Sequence, residues 1–231
     1  MKENVIAIVP AAGLGARFGP GTNKPFHPLL DKPLIVWSLE VFETLDEIRE
    51  VIPVLKEQDM ETGVEIFEKY NLSKVKRIAP GGKERQDSVY HGLKLLQGKA
   101  DMVLIHDGAR PLIDVGIVMT TIRSVSGFDG VIVGVPVKDT IKEVRDSVVK
   151  STLKRDTIWA IQTPQLFLYD SLMKAYQKAM EEEFYSTDDA ALLERSGGRV
   201  RVIMGSYSNI KVTTPEDVPV AEILLKGRGR A

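Results

Sequence analysis

Val5-Ile-Ala-Ile-Val9 runs directly into Pro10-Ala-Ala-Gly13-Leu-Gly15-Ala-Arg17-Phe-Gly19-Pro-Gly21-Thr-Asn-Lys24-Pro25. Five apolar residues without alternation read as a strand buried on both faces, as in parallel sheets covered by helices. Working outward, residues 51–55, 75–79, 102–106 and 131–137 form further short apolar runs. Between them, residues 33–42, 59–70 and 84–96 carry apolar side chains at helical spacing, the first opening on a proline suited to a first helical turn. Strand and helix alternate, which predicts one α/β domain over residues 1–231, with a mostly parallel central sheet and helices on both faces. In such sheets ligands bind beyond the carboxyl ends of the strands. The loops after Val9, Ala79, His106 and Val137 are therefore the places to search for chemistry.

The first of these loops is the most informative. Its four glycines and its alanines let backbone approach a ligand closely and turn several N–H groups toward an anion, and two cations, Arg17 and Lys24, hang from it. A dinucleotide fingerprint needs glycine where Phe18 stands and a helix opening at once, which Pro20 and Pro25 forbid. The Walker pattern fails because Lys24 follows Asn23. The remaining readings are a lid over a polyphosphate, neutralised by Arg17 and Lys24, or a glycine turn of no special role.

Composition narrows the function classes. Lys plus Arg number 31 and Asp plus Glu 32, a net charge of −1, so no overall positive footprint for nucleic acid exists. Without cysteine there is no disulfide, thiolate zinc site or cysteine nucleophile, and His27, His91 and His106 are too scattered for a histidine cage. A metal, if used, takes oxygen ligands. No apolar run reaches the roughly 18 residues of a membrane span, and the start does not read as a signal peptide, so a cytoplasmic protein is expected.

Asp107, in His106-Asp-Gly-Ala-Arg-Pro111, follows the fourth strand at the ligand-binding edge. One carboxylate with substrate phosphates is a sufficient protein contribution to a magnesium site. Alternatively Asp107 closes a turn with Arg110 as its ion pair. His106 reads as a packed strand end rather than a base. Gly81-Gly-Lys-Glu-Arg85-Gln-Asp-Ser88 could hold a base or ribose against bare backbone, or be a glycine turn with a helix cap. Ser186-Thr-Asp188-Asp189 reads first as a helix N-terminus with acids in its opening turn. Residues 139–159 break the alternation and read as a hairpin around Arg145-Asp-Ser147. Its apolar residues have no helix to cover them, so a second subunit is the expected cover and folding back on its own domain the alternative. Residues 172–180 and 187–195 are expected as helices, 200–204 and 210–212 as strands, and 215–225 as a closing helix before a frayed tail.

Taken in order, Ala11-Ala-Gly-Leu-Gly-Ala-Arg17 with Lys24, Gly81-Gly-Lys-Glu-Arg85-Gln-Asp-Ser88-Val, His106-Asp-Gly-Ala-Arg-Pro111, Val135-Pro-Val-Lys-Asp-Thr140, Ile161-Gln-Thr-Pro-Gln165 and Asn209-Ile-Lys211-Val-Thr-Thr-Pro-Glu-Asp217 resemble the 2-C-methyl-D-erythritol 4-phosphate cytidylyltransferase family across the whole chain. The resemblance implies a Rossmann-like nucleotidyltransferase fold with a projecting β-hairpin dimerisation arm at about residues 138–159. It implies Mg2+ and cytidylyl transfer from CTP to the polyol phosphate, a step toward isoprenoid precursors. Catalytic roles would fall to Arg17, Lys24, Arg155 and Lys211, and nucleotide contacts to Ala11, Ala12, Gly13, Gly15, Gly81, Gly82, Arg85 and Ser88. The second substrate would meet Asp107, Arg110, Thr140, Arg155, Thr163 and Lys211, with Arg155 reaching in from the other subunit of a homodimer and Asp107 holding the metal. Gly108 departs from the alanine usual in that family. Competing expectations are a ribitol 5-phosphate cytidylyltransferase, a non-catalytic nucleotide-sensing subunit and, more distantly, a dinucleotide-dependent oxidoreductase.

Overall fold

The computed structural model describes residues 4–13, 15–19 and 23–229. Pro20 and Gly21 of the expected lid and the last two residues of the tail lie outside them. The opening run forms β1 (Val5–Pro10), and its two faces serve two cores. Val5, Ala7 and Val9 join Ile35, Val36, Leu39 and Phe42 of α1 (Leu34–Glu43), Phe67 of α2 (Met60–Lys69) and Val118 and Ile122 of α4 (Val115–Arg123). Ile6 and Ile8 join Val89 and Leu93 of α3 (Arg85–Leu96), Leu172 and Tyr176 of α5 (Tyr169–Glu181), and Leu192 and Leu193 of α6 (Asp189–Arg195). Alternate residues of a strand point to opposite faces, so an unbroken apolar run can only be satisfied by helices on both sides.

The central sheet has the order β11-β7-β10-β6-β1-β4-β5. Besides β1 these are β4 (Ile48–Leu55), β5 (Ala79–Pro80), β6 (Met102–Ile105), β7 (Gly130–Pro136), β10 (Trp159–Leu168) and β11 (Val200–Met204). All pairings are parallel except those of β10, which runs antiparallel to β6 and β7. Because β1 has β4 on one side and β6 on the other, the connections diverge there and leave a crevice beyond the strand ends. A small hairpin, β2 (Pro28–Leu29) with β3 (Lys32–Pro33), follows the glycine loop. A third apolar cluster ties Phe18 to Leu34, Trp37, Val212 and, on α7 (Asp217–Gly227), Ala221 and Leu225. It thereby anchors the loop to the closing helix.

Several expectations need correction. The strand over 75–79 survives only as β5 and a single bridge from Val75 to Val51. Residues 210–212 form no strand, although the Val212 N–H still donates to the Ala109 carbonyl at 2.8 Å. The short β2 and β3, β10 and α4 are not expected from the sequence pattern. β10 was hidden by the polar Gln162-Thr-Pro-Gln165 in its middle, where pairing with β7 shifts register and a proline does no harm to the ladder. α4, rich in β-branched residues, is started by Asp114, whose carboxylate accepts from the Ile117 N–H at 3.0 Å.

The hairpin forms as expected. β8 (Lys142–Arg145) and β9 (Val148–Thr152) pair only with each other around Asp146 and Ser147, both at positive φ. Val144, Val148 and Val149 are each more than half exposed on it. No described helix is long and apolar enough to cross a membrane.

Candidate functional site

Two adjoining cavities lie where β1, β5 and β6 end. The first, about 460 Å3, is lined by the backbone of Ala11, Ala12, Gly13 and Gly15, by Lys24, by Gly82, Arg85 and Ser88, and by Asp107 and Lys211. The second, about 500 Å3, shares Arg85, Asp107 and Lys211 and adds Arg110, Thr163, Gln165, Thr187 and Asp188. Asp107 therefore stands at the junction.

Its backbone is fixed first. The His106 N–H donates to the Ile8 carbonyl at 3.0 Å and that of Gly108 to the Pro10 carbonyl at 3.2 Å, tying the end of β6 to β1. The Asp107 N–H donates to Thr163 Oγ1 at 3.0 Å, and that hydroxyl lies 3.1 Å from His106 Nδ1. His106 Nε2 is 3.2 Å from the Arg110 carbonyl, which only accepts, so the proton resides on Nε2 and Nδ1 accepts from Thr163. Burial pushes the His106 pKa down to about 4, leaving the imidazole neutral and committed to two bonds. Both ring nitrogens are thus engaged in orienting the loop.

The carboxylate of Asp107 faces three cations. Lys211 Nζ lies 2.7 Å from Oδ2, Arg110 Nε 3.7 Å from Oδ2 and Arg85 Nε 3.3 Å from Oδ1. Burial alone would raise its pKa, but Arg85 and Lys211 outweigh that and hold it well below the usual carboxylate range. Arg110 is in turn fixed by donating to the Asn209 carbonyl at 2.7 Å. Across the first cavity, burial first and the charge of Lys211 next bring the Lys24 pKa down to about 8; Arg17 acts in the same direction. A buried lysine with a lowered pKa beside further cations in a cavity marks this as a candidate functional site.

Close backbone approach builds the opposite wall. A Cβ on Gly81 would lie 2.3 Å from that of Ala12, so the 81–82 turn and the first loop can touch only because residue 81 is glycine. Gly81 donates its N–H to the Leu55 carbonyl at 2.7 Å and itself faces Ala12. Ser88 accepts from the Gly82 N–H at 3.0 Å and donates to the Glu84 carbonyl, while Asp87 accepts from the Glu84 N–H at 2.9 Å in a capping box. The segment is thus a glycine turn with a helix cap, and its Gly82 and Ser88 also line the first cavity.

The other expected site residues stand as follows. Arg17 is exposed beside the first cavity rather than in its wall. Thr140 and Arg155 border neither cavity; Arg155 is exposed at the foot of the hairpin, donating to the Lys138 carbonyl at 3.1 Å. Arg85, expected at the nucleotide, has its guanidinium divided between Asp107 and Asp189. From the sequence Asp189 reads only as part of a helix start, yet that cap is made by Asp188, which accepts from the Ala191 N–H at 3.2 Å. The second acid, left without a capping task, was the available clue.

No three described His, Cys, Asp or Glu side chains are grouped to hold a metal, so a protein-only cage is ruled out among them. The residues do fit a hard cation bound mainly by phosphate. Asp107 is ionised, a carboxylate offers about four lone-pair sites, and three facing cations leave one for such an ion.

The model of the IspD family, 2-C-methyl-D-erythritol 4-phosphate cytidylyltransferase, matches residues 5–227. A protein of that name from Clostridioides difficile is 46% identical over 219 residues, covering 94% of this chain and 92% of its own. One from Halalkalibacterium halodurans is 43% identical, covering 96% and 97%. The crystal structure of 4-diphosphocytidyl-2C-methyl-D-erythritol synthase from Anaerococcus prevotii superimposes with a TM-score of 0.86 at 33% identity, over 97% of both chains. That of the cytidylyltransferase from Thermus thermophilus gives 0.78 at 26%, over 98% and 100%.

Proposed function

The chain belongs to the 2-C-methyl-D-erythritol 4-phosphate cytidylyltransferase family, and on that premise we propose how its residues transfer a cytidylyl group from CTP to 2-C-methyl-D-erythritol 4-phosphate in isoprenoid biosynthesis. The observation that carries the reading is the junction at Asp107, where two cavities share Arg85 and Lys211 and the second adds Arg110. The first cavity receives CTP, with the triphosphate against the N–H groups of the glycine loop and beside Lys24 and Arg17. The second receives the polyol phosphate, with Lys211 and Arg110 on its phosphate and Thr163 beside its carbon chain.

A phosphomonoester has its second pKa near 6, so at neutral pH its oxygen attacks the α-phosphorus without a general base. That suits a site whose nearest histidine is neutral and doubly hydrogen-bonded. One P–O bond forms to the polyol phosphate, the bond to the β-phosphate breaks, and pyrophosphate leaves with the electron pair. What remains for the protein is to bring two repelling anions into line and to stabilise the charge that grows on the leaving group. Lys24 and Arg17 do so on the nucleotide side, Lys211 and Arg110 on the other. Mg2+, held by Asp107 and phosphate oxygens, would further neutralise the triphosphate.

The same proposal assigns Thr140 and Arg155 to a partner's second cavity in a homodimer joined through the arm. Their exposure at the arm and distance from their own chain's cavities support it. Pyrophosphate release is the test, measured with CTP and Mg2+ against methylerythritol phosphate and ribitol 5-phosphate in parallel. Turnover with the first substrate and not the second is expected. Preference for ribitol 5-phosphate would overturn the substrate assignment, and release with neither would overturn the transfer.

A further inference from the structure

We infer that Asp189 and Tyr176 are positioning residues for this transfer, acting through Arg85 to set where the Asp107 carboxylate stands between the two cavities. The inference rests on the reaction proposed above and adds two residues that touch neither substrate.

Arg85 begins α3, and its guanidinium fork is split: Nε faces Asp107 Oδ1 at 3.3 Å and Nη2 meets Asp189 Oδ2 at 2.8 Å. Asp189 is 1% exposed. Its other oxygen accepts from the Tyr176 hydroxyl at 2.5 Å. Tyr176 is wholly buried, with its ring stacked on Tyr90 at 5.8 Å and an interplanar angle of 5°, which fixes the direction of its hydroxyl. A chain of contacts thus runs from α5 to α6, to α3, and on to Asp107.

Helix formation does not require it. Asp188 supplies the α6 cap, so a second, buried carboxylate in that first turn is surplus to local structure. Burying an ion pair is at best neutral for stability compared with a well-packed apolar replacement. Geometry supplies the missing purpose. An arginine facing one carboxylate draws it into a bidentate pair that occupies both oxygens. Because Asp189 draws one arm of the fork away, Arg85 engages only Oδ1 of Asp107, and Oδ2 stays with Lys211 at 2.7 Å and Arg110 at 3.7 Å. Dividing the fork keeps those two cations at the junction, aimed into the second cavity.

Without Asp189 as anchor, Arg85 would pair with both oxygens of Asp107 and displace Lys211. A misplacement of about 1 Å costs about 10²-fold in rate, so a shift of half that size costs about tenfold. The experiment uses the full chain carrying Asp189→Asn, Tyr176→Phe or Arg85→Lys. Each is measured for kcat, for KM of both substrates, for CTP affinity by calorimetry and for thermal midpoint.

Asp189→Asn is expected to lower kcat about tenfold or more and to raise KM for the polyol phosphate, leaving CTP affinity within about twofold. Tyr176→Phe, which keeps the stacked ring and loses only the hydroxyl, is expected to do the same to a smaller degree. Should Asp189→Asn fail to fold, Tyr176→Phe carries the test. Arg85→Lys keeps the charge and loses the fork, and is expected not to support wild-type turnover. Wild-type kcat in Asp189→Asn or Tyr176→Phe, full rescue by lysine at position 85, or equal losses in CTP affinity and kcat would overturn the positioning role. Activity of the unaltered chain is measured first: its absence defeats the transfer reading, whereas an active parent with unaffected variants defeats only this inference.

Discussion

Gly81→Ala tests the close contact on which the nucleotide wall depends. The added methyl would lie 2.3 Å from the Ala12 Cβ, 3.3 Å from the Leu55 carbonyl oxygen and 3.7 Å from the Ala12 Cα. Ordinary contact begins near 3.4 Å, so the first loop and the 81–82 turn must separate by about 1.1 Å. Neither neighbour is a flexible side-chain end. Overpacking of this kind costs about 1 to 3 kcal/mol, and a chain this long loses about 2 to 4 °C of Tm for each kcal/mol. The functional loss should be larger in proportion, because a 1 Å displacement of groups that align a reactant costs about 10²-fold. The expected result is kcat/KM for CTP down about 10²-fold from pyrophosphate release, weaker CTP binding by calorimetry, and a Tm lowered by several degrees. The decisive control is the swap. Ala12→Gly removes the methyl that clashes, so the double variant Ala12→Gly, Gly81→Ala should recover most of the loss relative to Ala12→Gly alone. Wild-type kcat/KM in Gly81→Ala, or a loss that Ala12→Gly leaves untouched, would refute the reasoning.

Lys24, with its pKa brought down to about 8, loses its charge as pH rises, so kcat/KM for CTP should fall about tenfold from its plateau by pH 9 and Lys24→Arg should remove that limb. The stability linkage has the opposite sign. Between about 8 and 10.5 the unfolded chain holds the Lys24 proton and the folded chain does not, so this lysine's contribution to thermal stability improves as pH rises through that window. Asp107→Asn leaves Lys211, Arg110 and Arg85 without their shared anion; about 3 kcal/mol of stability should go, about 6 to 12 °C of Tm, with part regained on adding pyrophosphate. Finally, if Arg155 serves the partner's cavity, mixing and refolding Arg155→Ala with Lys211→Ala subunits should regenerate about a quarter of the wild-type activity, because half the dimers then own one intact site. No regained activity in dimers shown by sedimentation to have exchanged subunits would place Arg155 in its own chain's site or in none.

The sheet was legible wherever a strand is apolar over its whole length. β1, β6, β7 and residues 51–55 of β4 are buried on both faces and so announce themselves as unbroken runs, whereas the start of β4 at Ile48 is hidden by the polar Arg49 and Glu50; the hairpin shows through the Asp146-Ser147 turn. β10 is different in kind. It carries Thr163 and Gln165 into the second cavity and must be polar there, so function erased the pattern by which a strand is recognised. Residues 75–79 fail in the other sense: they are apolar enough to read as a strand, but only Val75 and the pair Ala79–Pro80 meet β4.

The same distinction separates the parts of the site that sequence discloses from those it conceals. A glycine or an acid at the end of a strand is visible because the α/β architecture says in advance where strand ends converge. Gly13, Lys24, Gly82 and Asp107 follow from that rule, Lys211 only from the family resemblance, and one cavity unites them. Which cation faces which anion follows from no local rule. The Arg85 to Asp189 pair spans 104 positions and the Asp107 to Thr163 bond spans 56. Seen alone, Arg85 was one more cation for a phosphate; paired, it divides its charge between two carboxylates. The net effect is that Lys211, Arg110 and Arg85 gather around one carboxylate, with Asp107 as their internal counter-charge. The lowered pKa of Lys24 records first its own burial and then the charge of Lys211.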